Sequence, residues 1–583
     1  MERQGIAANG LTLISCQPSV AAKRFIALTE CLGVRAKVVH ALEKAEVAFI
    51  LAEAKRSREA VVVDCAGFTR ASESLAEAVF SGLRDIKTDV LLLVTEASQY
   101  LSRYVEKATA SRIIGVLEKE CAGYSECLFG SGVSAELSGY SIQTSGSSVL
   151  YIAGVEGSFE PILSIDGAVS FCRVTGEAGY GSTYVWSTPE IFDMTKPLDS
   201  EAEFELAADK YLPAMIFLRA ALGQRRWHAR RASAAVIVDD PLLRRRYGAL
   251  DFTRVLASAR EHRYHVTLAF IPWNYWRTRR RHAQFFRRYG DVFSVCVHGN
   301  DHTAGEFSSA NFEELSRKIS EAQARFQAHE ARTGLQHEWL MVWPQERYSI
   351  EALRALADNG HFAAVANSRC IPNDPLAQGK VRGEHLLLPA PDMWYGVPIL
   401  KRHYLAEGMA KFALALFLGR PAILATHHRF FRQGTGRLEK FVETTRRLRP
   451  EVEWQSVTRS LQRLCWQRKV GESDWEARFF TNEFELESAA DGRCDYTLHR
   501  RIPYGARVEA VTVDGSPVDF AIDDDDLRFQ TTVEDRAMIK VECSRRSLPP
   551  PRRASKMHRA RVAMRRIGSE LRDYIAASAD STE

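Results

Sequence analysis

The sequence has no uninterrupted apolar stretch of the roughly 18–20 residues that a membrane-spanning helix needs, which argues against a helical membrane protein. Its opening, "MERQGIAANGLTLISCQPSV", shows no charged start followed by an apolar core, so no secretory signal is expected. It has no CxxC pair. The eleven cysteines, scattered from Cys16 to Cys543, read as buried thiols rather than a disulfide framework, and a reducing, cytoplasmic setting is the expectation that follows. Neither sign of charge dominates: a formal net charge of +5 over 583 residues identifies no partner. What is present is ordinary globular material, 46% hydrophobic and 26% charged, over a length that one core does not usually organise. About three to five domains are expected.

The pattern along the chain is that of an α/β multidomain protein. In residues 1–145, "LTLIS", "AKVVHAL", "AVVVDCA" and "DVLLLVTEA" read as strands alternating with helices, the first of them closed by Gly33, which implies a doubly wound parallel sheet of the Rossmann or flavodoxin type. Asp64 ends the third strand, but no acidic pair accompanies it from the first, so phosphorylation is not expected. "GSGVSA" (130–135) opens no clear helix and reads as a loop. Residues 146–228 read as a small α/β or α+β module ending in the helix "YLPAMIFLRAAL". From 229 to 470, six strand-like runs separated by helices suit a distorted β/α barrel, whose chemistry sits at the C-terminal ends of its strands. One of those helices, 311–333, has Asn311 as its N-cap. Residues 475–543 alternate apolar and polar around a "VDGSPV" turn, as a small antiparallel β-sandwich does. The Pro-rich "SLPPPRRAS" opens a basic tail, 544–583, in which Met557, Ala560, Met564, Ile567 and Leu571 share one helical face.

Three of the barrel runs end in residues that carry chemistry. "SVCVHGNDHTAGEF" places His298 and His302 four apart, a spacing that lets two imidazoles converge on one ion. "AAVIVDDPLL" ends an apolar strand in Asp239 and Asp240, a costly pair unless a cation neutralises it or solvent reaches it at the start of the next helix. "PAILATHH" ends another in His427 and His428.

In that order, "VIVDD", "HGNDH", "VWPQ" and "ILATH" resemble the motifs of the polysaccharide deacetylase (NodB-homology, carbohydrate esterase) family, over roughly residues 230–460. The resemblance implies a distorted, NodB-like barrel and metal-dependent removal of N- or O-acetyl groups from an amino sugar or glycan precursor. It implies that Asp240, His298 and His302 hold a divalent metal, zinc first and cobalt, manganese, nickel or iron as alternatives. Asp239 would be the general base and His427 the general acid. Gln345 would offer an oxyanion donor through its backbone, with Glu306 and His428 supporting the site. The chain departs from the family pattern at Gly299, in place of Ser or Thr, at Pro241, in place of Gly, and at Val342, in place of the arginine that tethers the base. Asn367 stands where an aspartate tunes the acid histidine, and segment 370–410 is expected to supply substitutes such as Asp392.

Trp273, Tyr275, Trp276 and Trp343 are candidates to stack on sugar rings, and Arg277 to pair with an anionic or lipid-linked substrate. The same tryptophans would serve equally as core, and the arginines as a solvated face. The basic tail is read as a solvated segment or as a peripheral contact with the inner face of a membrane; a nucleic-acid partner is not expected. Two alternatives to the deacetylase stay open: a catalytically degenerate carbohydrate-binding or scaffold protein, and a hydrolase of another C–N bond.

Overall fold

The computed structural model describes residues 10–579 apart from 41–42, 69–72, 84–85, 110–111, 131–135, 156, 175–180, 368–373, 375–376, 378, 490–491 and 546–554. The chain divides into two compact units. The first comprises Met1–His228 with Arg382–Leu387 and Gln467–Trp475; the second comprises Ala229–Val381, Leu388–Trp466 and Glu476–Glu583.

The first unit is built on one nine-stranded sheet. Its strands are β1 (Leu11–Ser15), β2 (Ala36–His40), β3 (Ala60–Asp64), β4 (Val90–Val94), β5 (Ile113–Phe129), β6 (Ser141–Gly154), β7 (Glu160–Ile165), β8 (Ala168–Val174) and β9 (Thr183–Ser187). They lie in the order β2-β1-β3-β4-β9-β8-β7-β5-β6. The first five in that order pair in parallel, as the βα alternation implies, and the rest are antiparallel. Here the structure differs from the sequence expectation. β6 crosses the boundary expected near residue 145, and β9 returns to pair with β4, so residues 146–187 complete the first sheet instead of forming a module of their own. Strand patterning reports which residues are extended; it does not report which strand they pair with. Asp64 is fully buried and accepts from Ser19 Oγ at 2.5 Å and from the Ala66 N–H at 3.1 Å. The "GSGVSA" segment lies outside the described residues except for its first glycine.

The second unit holds a closed parallel barrel. Its strands are β10 (Ser233–Asp239), β11 (Val266–Phe270), β12 (Phe293–His298), β13 (Glu338–Val342), β14 (Ala363–Ala366), β15 (Ile399–Tyr404) and β16 (Ala422–His427). They run in the order β11-β12-β13-β14-β15-β16-β10, and β10 pairs with β11 to close the ring. Every residue of β10 is buried, because a barrel strand faces side chains within and helices without; hence its unbroken apolar run. Six of these strands match the runs read from the sequence. The seventh, β15, does not: in "ILKRHY" the charged Lys401 and Arg402 interrupt the apolar pattern.

The Phe312–Thr333 helix starts as the sequence suggests, with the Asn311 side chain accepting from the Glu314 N–H at 3.0 Å. Beyond the barrel, the strands within residues 483–545 pair antiparallel in two sheets, one of which also takes in Asp474–Arg478. In the "VDGSPV" hairpin, Asp514 and Gly515 both take the positive φ that a tight turn between twisted strands demands, 51° and 82°. A final helix, Lys556–Ala579, presents His558, Val562, Arg566 and Glu570 as one face. The apolar positions Met557, Met564 and Ile567 share a face as expected, but that face is exposed. Cys65, Cys127, Cys172, Cys296 and Cys494 are buried free thiols. No helix among the described residues is long and apolar enough to cross a membrane.

Candidate functional site

Barrel register brings the chemistry together. Asp239 at the end of β10 is the direct lateral partner of His427 at the end of β16, and His298 at the end of β12 is opposite Val342 of β13. All four lie at the C-terminal rim. Just past β10, Asp240 takes a left-handed conformation (φ 62°), as do His302 (φ 55°) and Gln345 (φ 55°) on the neighbouring loops. Non-glycine residues hold that conformation only where their surroundings compel it.

Asp240, His298 and His302 each offer one ligand atom, all within 4.8 Å of one another. Nε2 of each histidine is 3.4 Å from Asp240 Oδ1. Tetrahedral ligands on bonds of about 2.0–2.1 Å stand roughly 3.3–3.4 Å apart, so the spacing suits a first-row divalent ion. The donors are also in the right state. His298 Nδ1 donates to the Val342 carbonyl at 2.9 Å, which leaves the Nε2 lone pair toward Asp240. Burial lowers His302 to about 4, against the pull of Asp240, so its imidazole is neutral near pH 7. Burial would raise Asp240, yet His302, His298 and then Arg566 hold it down at about 2. Its Oδ1 is buried without a hydrogen-bond donor, which is the orphaned state a cation relieves.

The histidine loop is braced by Glu306. This buried carboxylate accepts from the backbone N–H groups of Asn300 (3.2 Å), Asp301 (2.7 Å) and His302 (3.0 Å). Burial pushes it up to about 7 in spite of the N–H groups of Asp301 and Asn300. The brace explains Gly299. A Cβ there would stand 2.8 Å from Glu306 Oε2 and 2.9 Å from Pro344 Cγ, at a φ of 67°. Gln345 Oε1 accepts from the Gly305 N–H at 3.2 Å, tying the third motif to the same loop.

The missing third-motif arginine has a replacement that sequence reading did not find. Arg402 of β15 crosses the barrel interior and places Nη1 2.7 and 2.8 Å from the two oxygens of Asp239. Its Nε donates to Asn367 Oδ1 at 3.2 Å. Both charged side chains are 2% exposed. Burial works to raise Asp239, but Arg402, with His298 and His427, holds it below the usual carboxylate range. His427 Nε2 stands 3.8 Å from Asp239 Oδ2, and its ring lies parallel to that of Tyr404, whose hydroxyl donates to Glu346 at 3.1 Å. A cleft of about 650 Å³ opens beside them, lined among others by Asp240, Tyr404, His427, Phe430 and Arg437.

His428 lines the same cleft; the remaining candidates do not. Asp392 is paired with Arg478 at 2.8 Å rather than with either catalytic candidate. His428 is buried against Tyr247, and Trp343 is fully buried, stacked on Tyr348 with centroids 5.0 Å apart, so it has no face for a ligand. Trp273 lies under the Arg325 guanidinium, Tyr275 gives its carbonyl to Arg332, and Arg277 is engaged by Glu570. Trp276, 61% exposed, is the most open of these to solvent, while Trp273, Tyr275 and Arg277 are half-buried.

No family model and no curated protein matches this chain. Among solved structures, similar folds include a family 4 carbohydrate esterase from Streptomyces lividans in complex with acetate (12% identity, 39% of this chain and 92% of that one, TM-score 0.24). A family 4 acetyl xylan esterase from Clostridium thermocellum with a cobalt ion is similar at 12% identity, over 39% of this chain and 89% of that one, with TM-score 0.23. A family 4 pseudoenzyme from Bacillus anthracis is similar at 12% identity, over 40% and 67%, with TM-score 0.25. Likeness at this level says nothing about activity, which has to be argued from the side chains.

Proposed function

We propose that the chain is a metal-dependent deacetylase acting on an N- or O-acetyl group of an amino sugar or glycan precursor, through the NodB-like barrel. One observation carries this reading: three ligand atoms within 4.8 Å of one another stand at the rim of a closed barrel, on strand ends whose register sets Asp239 beside His427. A divalent ion held by Asp240, His298 and His302 would polarise a carbonyl and make water a stronger acid.

The remaining roles belong to the protein. Asp239, ionised and fixed by Arg402, takes the proton of the attacking water. His427, 45% exposed and aligned by Tyr404, returns a proton to the departing amine or alcohol. The backbone near Gln345 faces the developing oxyanion. Exclusion of solvent from Asp239 keeps its interaction with Arg402 strong.

A second reading, a barrel that keeps its metal and has lost turnover, is favoured by the depth of Asp239, whose two oxygens are both engaged by Arg402. Elemental analysis and acetate release from a panel of acetylated glycans separate the two. Asp240→Ala and His298→Ala should lose metal, whereas Asp239→Asn should retain it and lose roughly 10²–10⁴ in rate. Wild-type turnover in Asp239→Asn refutes the base assignment, and bound metal without acetate release from any glycan supports the second reading.

A further inference from the structure

The C-terminal helix carries a charged residue that the reaction above does not use. Its inner face is pinned at both ends. His558 Nε2 lies 2.7 Å from Asp301 Oδ2, and Arg277 Nη2 donates to Glu570 Oε2 at 2.7 Å. Asp301 belongs to the loop between the two histidine ligands, and Arg277 follows β11, so the anchors set the helix against the rim that carries the site. Val562, 1% exposed, fills the interval.

Arg566 completes that face. It is 7% exposed, its Nε has no hydrogen-bond partner, and no ion pair engages it among the described residues. The nearby carboxylates are committed: Glu570 to Arg277, and Asp301 to Arg325 at 2.6 Å and to His558. The guanidinium nevertheless acts electrostatically on both Asp240 and His302. A buried guanidinium without an anion is costly, and the carboxylates named here are engaged elsewhere once Asp240 serves a cation.

The helix does not seal the site. Asp240 also borders the cleft of about 650 Å³ that His427 lines, and Arg429 and Arg437 line the same cleft. Asp240 is the one acidic residue lining that cleft among the described residues. A substrate entering it meets Arg429 and Arg437 in its lining, and Asp240 at its border is the link to the buried face that carries Arg566.

We infer that Arg566 is a binding residue for an anionic group of the substrate, a carboxylate or phosphate carried on the acetylated sugar or its neighbour. This rests on the deacetylase reading and narrows it from glycans in general to anionic ones. It also moves the anion contact away from Arg277, whose charge Glu570 already meets. Arginine suits the task because its planar fork matches both carboxylate and phosphate.

Calorimetric titration of inorganic phosphate and of glucuronate into the full-length protein tests this, with metal content measured in every sample. Arg566→Gln should weaken binding by about tenfold or more, and Arg566→Lys should recover part of it. Arg561→Gln, on the exposed side of the same helix, should bind as wild type does. A loss confined to phosphate assigns a phosphate-bearing substrate, and one confined to glucuronate a uronate; either supports the inference. Acetate release from N-acetylglucosamine and from its 1-phosphate gives the second readout: Arg566→Gln should lose any preference for the charged sugar. Equal binding by wild type and Arg566→Gln overturns the inference, as does an equal loss in Arg561→Gln. Arg566-dependent anion binding without acetate release from any substrate removes the deacetylase reading and leaves the anion site standing.

Discussion

Replacing Arg402 with methionine removes the guanidinium that meets Asp239 and leaves the carboxylate where it is. Both side chains are 2% exposed, so water cannot take over the role of the lost partner. Breaking one side of a buried pair of this kind costs about 3–5 kcal/mol. For a unit of this size each kcal/mol moves the melting temperature by roughly 2–4 °C, so the barrel transition should fall by about 6–20 °C. Asp239 should also take up a proton more readily, since burial, which acts to raise it, then lacks its main opponent. The acid limb of the rate profile should move to higher pH. The double variant Arg402→Met/Asp239→Asn separates the pair from the cavity, because it removes both charges and should recover most of the lost stability. Denaturant midpoints of the four proteins supply the cycle. A single variant within about 1 kcal/mol of wild type, or a double variant whose loss equals the sum of its singles, would show that Asp239 does not depend on Arg402.

Gly299→Ser restores the residue type of the related motif, yet it should destabilise the histidine loop by about 1–3 kcal/mol, because its Cβ would meet Glu306 and Pro344 at a positive φ. Metal content should fall with it, and an unchanged metal content and midpoint would count against the brace. Acid should weaken the barrel unit for a different reason. Burial lowers His265 and His329 to about 4 each, so between pH 6.5 and 4 the unfolded chain binds protons that the folded one refuses. Stability present above pH 6.5 should therefore be lost on acidification, by about 1 kcal/mol per pH unit for each histidine. Urea midpoints at pH 7.5 and 5 for wild type and His265→Asn/His329→Phe would measure it, and parallel slopes would refute it.

Much of the site was legible in the chain because its residues terminate apolar runs. An apolar run ending in Asp239–Asp240, or in His298, or in His427 marks a rim position before any pairing is known. The two-histidine spacing and the Asn311 cap are likewise local. Asp392 was misassigned because a lone aspartate in a long loop gives no sign of its partner, here Arg478 of the Asp474–Arg478 strand. Arg402 escaped notice because its strand is polar in sequence, and what makes "ILKRHY" a strand is the pairing of its neighbours, β14 and β16.

Local sequence by itself determined which segments extend or coil, and which side chains arrive at strand ends. Those outcomes follow from backbone preference and from the need to bury apolar surface, both of which act over a few residues. Tertiary structure alone decided that residues 146–187 finish the first sheet, that an arginine 163 positions away neutralises Asp239, and that the basic helix turns Arg566 inward while Met557, Met564 and Ile567 face out. These depend on charge compensation and strand pairing between distant segments, which become defined only when the barrel closes and water leaves its interior.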